Sequence, residues 1–151
     1  MYGMGEIRII IRTDFGKVEV AGRTFQEVLR QLEVLRTEYS LISRAPTIKR
    51  LRGIIEMTAE GPIIVTKKRL THYEAIALIL YFLERHQCSL RRLRNLLISS
   101  GKKITLPARL HEMKKRGLVI KPHPRVPEYK LSLDGVRWVE EEVLPRLKTG
   151  M

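Results

Sequence analysis

From residue 75 to residue 83 the chain reads Ala-Ile-Ala-Leu-Ile-Leu-Tyr-Phe-Leu, apolar at every position. A surface helix needs a polar side, so a helix that is apolar all round must be buried on several sides. The run is too short to span a bilayer. Just before it, Thr71 and Glu74 stand in the spacing of a capping box, in which each side chain satisfies a backbone N–H at a helix start. The sequence therefore demands a central buried helix, and the rest of the chain must supply its cover. At 151 residues it can do so without disulfide or metal staples.

The cover is legible on the C-terminal side. Ser89 is placed to cap a helix over residues 90–98, with Leu90, Leu93 and Leu97 inward and Arg91, Arg92 and Arg94 outward. Ser99, Ser100 and Gly101 end it. Thr105 is placed to cap a third helix over residues 106–116, with Leu106, Leu110 and Met113 inward and Gly117 as its stop. Residues 118–120 then read as a strand, 121–127 as a proline-rich connection and 128–133 as a returning strand. A last helix over residues 136–148 can pack through Val136, Val139, Val143, Leu144 and Leu147, with Pro145 in position to kink it and Glu140, Glu141 and Glu142 on its solvated face.

On the N-terminal side, residues 6–13 alternate as a strand with Ile7, Ile9 and Ile11 on one face, and Val18 and Val20 continue the alternation past a turn at 14–16. Thr24 and Glu27 form another capping box, followed by a helical stripe of Phe25, Val28, Leu29, Leu32, Leu35, Tyr39 and Ile42 that ends at Ala45-Pro46. Residues 47–61 fit either a short helix or a strand. Gly61-Pro62 signals a turn and 63–66 a short buried strand. The expectation is an α+β chain, with an N-terminal ββα unit over residues 1–66 and a winged helix-turn-helix domain with a C-terminal helix over 67–151. A ββα unit alone has little core, so it is expected to dimerise or to dock a partner.

Charge points to the function class. The formal net charge is +13, and residues 85–130 hold thirteen Lys or Arg against two acids, Glu112 and Glu128. Residues 1–46 hold seven bases and six acids, and 131–151 three bases and four acids. A basic excess confined to one segment favours a polyanion through counterion release and steering. The scarcity of amides, with Asn95 the one asparagine, points to a thermophilic source. With Cys88 as the single cysteine and no leader-like start, the chain is expected in the cytoplasm.

The segment Leu-His-Glu-Met-Lys-Lys-Arg-Gly-Leu-Val over residues 110–119, followed by Tyr-Lys-Leu-Ser-Leu-Asp-Gly over 129–135, resembles the recognition-helix and wing pattern of MarR-like and PadR-like regulators. The resemblance covers about half the chain. It departs from those families in Ser132, where threonine is commoner, and in the ββα unit. It implies a duplex-gripping fold and surface, and nothing about effector or operator.

A major groove admits one α-helix, whose outward residues meet base edges while flanking cations meet phosphates. With Leu106, Leu110 and Met113 buried, steps of 100° leave Ala108, His111, Glu112 and Lys115 outward, with Thr105, Arg109 and Arg116 beside them. Thr105, Arg109, His111 and Lys115 are therefore expected to face bases, Arg109 by forking onto guanine. Arg91, Arg92, Lys102, Lys103, Arg116 and Lys121 suit phosphates, and Arg125 sits at a proline-stiffened wing tip that could enter a minor groove. Glu112 can pair with Arg109 or Arg116 along the helix.

The expected partners are double-stranded DNA and a second copy of the chain, since paired half-sites raise affinity and specificity. The competing readings are a winged-helix subunit of a nucleic-acid machine that binds without sequence preference, and a protein-interaction module. His86, Cys88, His111 and His123 lack paired ligand spacing, so no metal or cofactor is expected. No Gly-rich phosphate loop or nucleophile elbow is present, and no enzymatic activity is expected.

Overall fold

A computed structural model of the chain describes residues 5–13 and 16–149, together with their side chains other than those of 13 and 37–44. It is an α+β structure of helices and small antiparallel sheets that divides into two compact units, Met1–Ala45 and Pro46–Met151.

In the first unit, β1 (Ile7–Thr13) pairs antiparallel with β2 (Gly16–Gly22), placing Ile9 opposite Val20 and Ile11 opposite Val18. Asp14 and Phe15 of the expected turn lie outside the described residues. Helix α1 (Phe25–Arg50) begins with the Glu27 N–H donating to Thr24 Oγ1 at 3.2 Å. The Glu27 carboxylate accepts from the Arg23 N–H at 2.8 Å, one residue earlier than the expected box. Val20 and Val28 are buried and Ile9, Ile11, Val18, Leu32 and Leu35 half-buried, whereas Phe25 is 64% exposed. The expected stripe is thus only partly used, and the Tyr39 and Ile42 side chains fall outside the description.

Helix α1 does not stop before Pro46, as the sequence predicts, but carries it as an interior residue to Arg50. An interior proline removes an N–H and crowds the preceding turn, at a cost of about 3 kcal/mol. Complete burial of Leu51 and Ile54 just beyond contributes about 1.5 to 3 kcal/mol each, enough to carry the helix through.

In the second unit, β3 (Ile55–Thr58) and β4 (Gly61–Ile64) form a hairpin with Ala59 and Glu60 at its tip. The turn therefore falls two residues before the expected Gly61-Pro62, where Thr58 Oγ1 donates to the Gly61 carbonyl at 2.8 Å and accepts from the Glu60 N–H at 3.2 Å. Leu51, Ile54, Ile55 and Ile64 join the core of this unit, so residues 46–66 pack with the C-terminal half rather than with the N-terminal unit to which the sequence reading assigned them.

Helix α2 (His72–Phe82) is the central buried helix, with every residue from Glu74 to Phe82 inside. Its capping box is complete: the Glu74 N–H donates to Thr71 Oγ1 at 3.1 Å and the Thr71 N–H to Glu74 Oε1 at 2.9 Å. Around it follow β5 (Gln87–Ser89), α3 (Leu90–Ser99), α4 (Leu106–Lys115), β6 (Val119–Ile120), β7 (Glu128–Leu131) and α5 (Leu133–Trp138). The sheet order is β5-β7-β6, antiparallel throughout. Strand β5 is not foreseen by the sequence reading. Its three residues are too short to show alternation.

The chain closes through a π-helical turn, Val139–Val143, into α6 (Leu144–Lys148). The Leu144 N–H reaches the Val139 carbonyl five residues back, so the break foreseen at Pro145 takes the form of a widened turn before it. Glu140 is not simply solvated, because it pairs with Arg50, whose Nη1 also donates to the Tyr81 hydroxyl at 3.2 Å.

Candidate nucleic-acid interface

Two short helices and their caps carry most of the nominated residues, and the two helices close alike. Ser89 Oγ accepts from the Arg92 N–H at 3.2 Å, capping α3. The helix then closes with the Lys102 N–H on the Leu97 carbonyl at 2.9 Å, and α4 with the Leu118 N–H on the Met113 carbonyl at 2.9 Å. Both closures need a residue of left-handed backbone, supplied by Gly101 and Gly117, each at φ 75°. The start of α4 differs from expectation: Thr105 occupies the cap position, but its side chain makes no capping bond, and Pro107, the second helical residue, presets φ in the first turn.

Burial fixes which side of α4 is available. Leu106, Leu110 and Met113 are inside, while Thr105, Ala108, His111, Lys114 and Lys115 are exposed. Three of the four residues nominated for base contact, Thr105, His111 and Lys115, therefore lie on the open side.

Arg109 is engaged elsewhere. Its Nη1 donates to Glu112 Oε2 at 2.9 Å and to the Tyr73 hydroxyl at 3.2 Å, and the Tyr73 hydroxyl in turn donates to Glu112. The Arg116 guanidinium lies 4.7 Å from the centre of the Tyr73 ring, in cation–π range. The Tyr73 hydroxyl and the nearby Arg109 hold the Glu112 carboxyl below its ordinary range, and Tyr73 and Glu112 hold the Arg109 guanidinium above its own. The expected pairing of Glu112 with Arg109 is present. Sequence reasoning missed Tyr73, since no spacing rule links it to a helix 36 residues on.

The cations nominated for phosphate divide similarly. Arg91 and Arg92 are exposed in the first turn of α3, and Arg125 is exposed in the loop between β6 and β7. Lys102 and Lys103, with Arg94, rim a cavity of about 230 Å³ floored by Leu97, Ile98, Ile104 and Leu106. Lys121 instead donates through Nζ to the Pro124 carbonyl at 3.1 Å, bracing that loop. Among the described residues, Arg91, Lys102, Lys103, Lys115 and Arg125 form no ion pair.

Cys88 is buried, and burial pushes its thiol up to about 11, which disfavours the reactive thiolate. Among the described residues no cluster of three His, Cys, Asp or Glu is placed to hold a metal ion, and no helix is long and apolar enough to cross a membrane. No family model, curated protein or solved structure matches the chain.

Proposed function

We propose that residues 67–151 act as a winged helix-turn-helix and that the protein is a sequence-specific double-stranded DNA-binding protein, a transcriptional regulator working as a homodimer. On this reading α4 enters the major groove, α3 lies across the backbone, and the β6–β7 loop is the wing. The succession of helix, strand, helix, helix and two returning strands, with sheet order β5-β7-β6, supports it.

The observation that carries it is an open α4 face, bearing His111 and Lys115, in a chain whose segments just before and after that helix hold cations without ion pairs, Lys102, Lys103 and Arg125. A duplex offers base edges between two rows of phosphates, and hydrogen-bonding groups on α4 with cationic segments before and after it would match that arrangement. Among the described residues of the first unit Ile10, Phe25 and Val34 are each more than half exposed, and this supports the homodimer, because a second copy would cover them.

The test is a titration of random and pool-selected duplexes across a salt series. Affinity should fall with salt for both, as counterion release requires, with the selected duplex held more tightly at every salt concentration. Absence of binding to either at low salt removes the reading. A strict monomer by light scattering at high concentration removes the dimer.

The engagement of Arg109 by Glu112 favours a second reading, a subunit of a nucleic-acid machine that grips the backbone alone. Equal affinity for random and selected duplexes would select it.

A further inference from the structure

We infer that Tyr73 is a positioning residue for α4: it fixes the roll of that helix through Arg109, Glu112 and Arg116, leaving Ala108, His111 and Lys115 as the specificity-determining set. The inference rests on the duplex-reading function proposed above and assigns base selection to particular side chains within it.

The need for such a device follows from how little else holds α4. The helix is ten residues long and is anchored by three buried side chains, Leu106, Leu110 and Met113. Apolar packing is non-directional, so it resists translation of a short helix better than rotation about its axis. Hydrogen bonds are directional, and those at Tyr73 connect α4 to α2, the most deeply buried helix of the unit. The Tyr73 hydroxyl serves as donor to Glu112 and acceptor from Arg109 at once, while its ring faces the Arg116 guanidinium.

The three partners are spaced to act together. At 100° per residue, Arg109, Glu112 and Arg116 fall within an arc of about 60°, and Ala108, His111 and Lys115 within another arc of about 60°. The second arc lies roughly opposite the buried stripe, whereas the first lies beside it, against α2. A hold on the first arc therefore decides which residues the second presents.

Electrostatics favours the same division of labour. A carboxylate on a helix that enters a polyanion is repelled unless it is neutralised. Glu112 is neutralised by Arg109 and accepts a hydrogen bond from the Tyr73 hydroxyl, and the two keep it ionised and turned aside. Arg109 is correspondingly committed, and its Nε is buried with no partner. Forking onto a guanine would require it to abandon Glu112 and leave that acid unpaired.

The experiment compares full-length wild type with Tyr73→Phe, Arg109→Ala, the double variant and Glu112→Gln. Each is titrated against a duplex selected from a random pool by the wild-type protein and against a random duplex of equal length, with thermal melting in parallel. Tyr73→Phe should lose about tenfold in affinity for the selected duplex and stay within about twofold for the random one, with melting little changed. Glu112→Gln, which keeps the shape and removes the charge, should shift the ratio in the same direction. The double variant should lose no more than Tyr73→Phe alone, Arg109→Ala adding little in that background, because the two act as one unit.

An unaltered preference in Tyr73→Phe overturns the inference. So does a full, additive loss on Arg109→Ala in that background, which would make Arg109 a direct reader of bases. Equal binding of wild type to both duplexes is a different failure: it overturns the sequence-reading function itself, and the inference with it.

Discussion

The two units of this chain solve the same problem with unequal means. The second surrounds the buried helix α2 with a continuous core running from Leu51 to Leu147. The first, a hairpin and the start of a long helix, buries Val20 and Val28 and leaves Ile10, Phe25 and Val34 each more than half exposed. Among its described residues Arg8 pairs with Glu6 and with Glu19, surface contacts of the kind that contribute about 0 to 1 kcal/mol. The contrast teaches that local propensity is sufficient to draw an element but not to stabilise a unit. The ββα elements are well patterned, yet among the described residues the unit encloses far less apolar volume than the other one.

The sharpest way to break that comparison is a cavity. Leu110→Ala, beneath the open face of α4, should cost about 2 to 5 kcal/mol in urea unfolding and lower the melting temperature of the whole second unit. A loss below 1 kcal/mol would mean that its core is looser than its burial implies.

Acid is the next probe. Burial pushes the Glu74 carboxyl up, but the Thr71 N–H, Arg146 and the Thr71 hydroxyl pull it further the other way, leaving it below its ordinary value of 4.5. A carboxyl lowered in the folded state stabilises above its unfolded pKa, and that stability is lost as pH falls below about 4.5 toward the folded value. Glu74→Gln should destabilise at neutral pH by about 1 to 3 kcal/mol and flatten the acid dependence of melting. An unchanged acid limb would assign that dependence to other carboxylates.

In the first unit, Val28→Ala should cost only about 1 to 2 kcal/mol, with faster amide exchange confined to β1, β2 and the first turns of α1. Exchange that accelerates equally in α2 would show the two units to be one cooperative block. The smallest effects concern binding. Lys102→Ala should weaken every duplex by about 1 kcal/mol and lower the salt slope by about one, whereas Arg30→Ala in the first unit should change neither. Equal losses would extend the interface to the first unit.

Much of the second unit is legible because its helices announce themselves. The boxes and caps at Thr71, Glu74 and Ser89 are local chemistry, and so are the glycine stops at Gly101 and Gly117. The α+β class follows from the same patterns. What stays hidden depends on distant partners. Strand β5 exists through its pairing with Glu128, Tyr129 and Lys130, and the chain enters it by a turn in which Arg85 and His86 take positive φ with no glycine or asparagine to mark it. Pro46 reads as a helix end because local rules do not register the burial waiting at Leu51. In the candidate interface, exposure of the cations could be read from helical spacing, but the commitment of Arg109 could not, since it depends on a tyrosine from another helix.

The widened turn at Val139–Val143 has a consequence for tolerance to length change. It holds one residue more than a regular helix would between Val139 and Leu144, a spacer that keeps Val139, Val143, Leu144 and Leu147 all facing inward across Pro145. Glu141 and Glu142 look expendable, being exposed and acidic on an outer surface. Removing either would turn the i→i+5 bond into an ordinary i→i+4 bond and leave Leu144 and Leu147 facing inward. The final helix can therefore lose one residue at this turn without rotating its buried face, whereas a deletion within α6 would rotate Leu147 by about 100°.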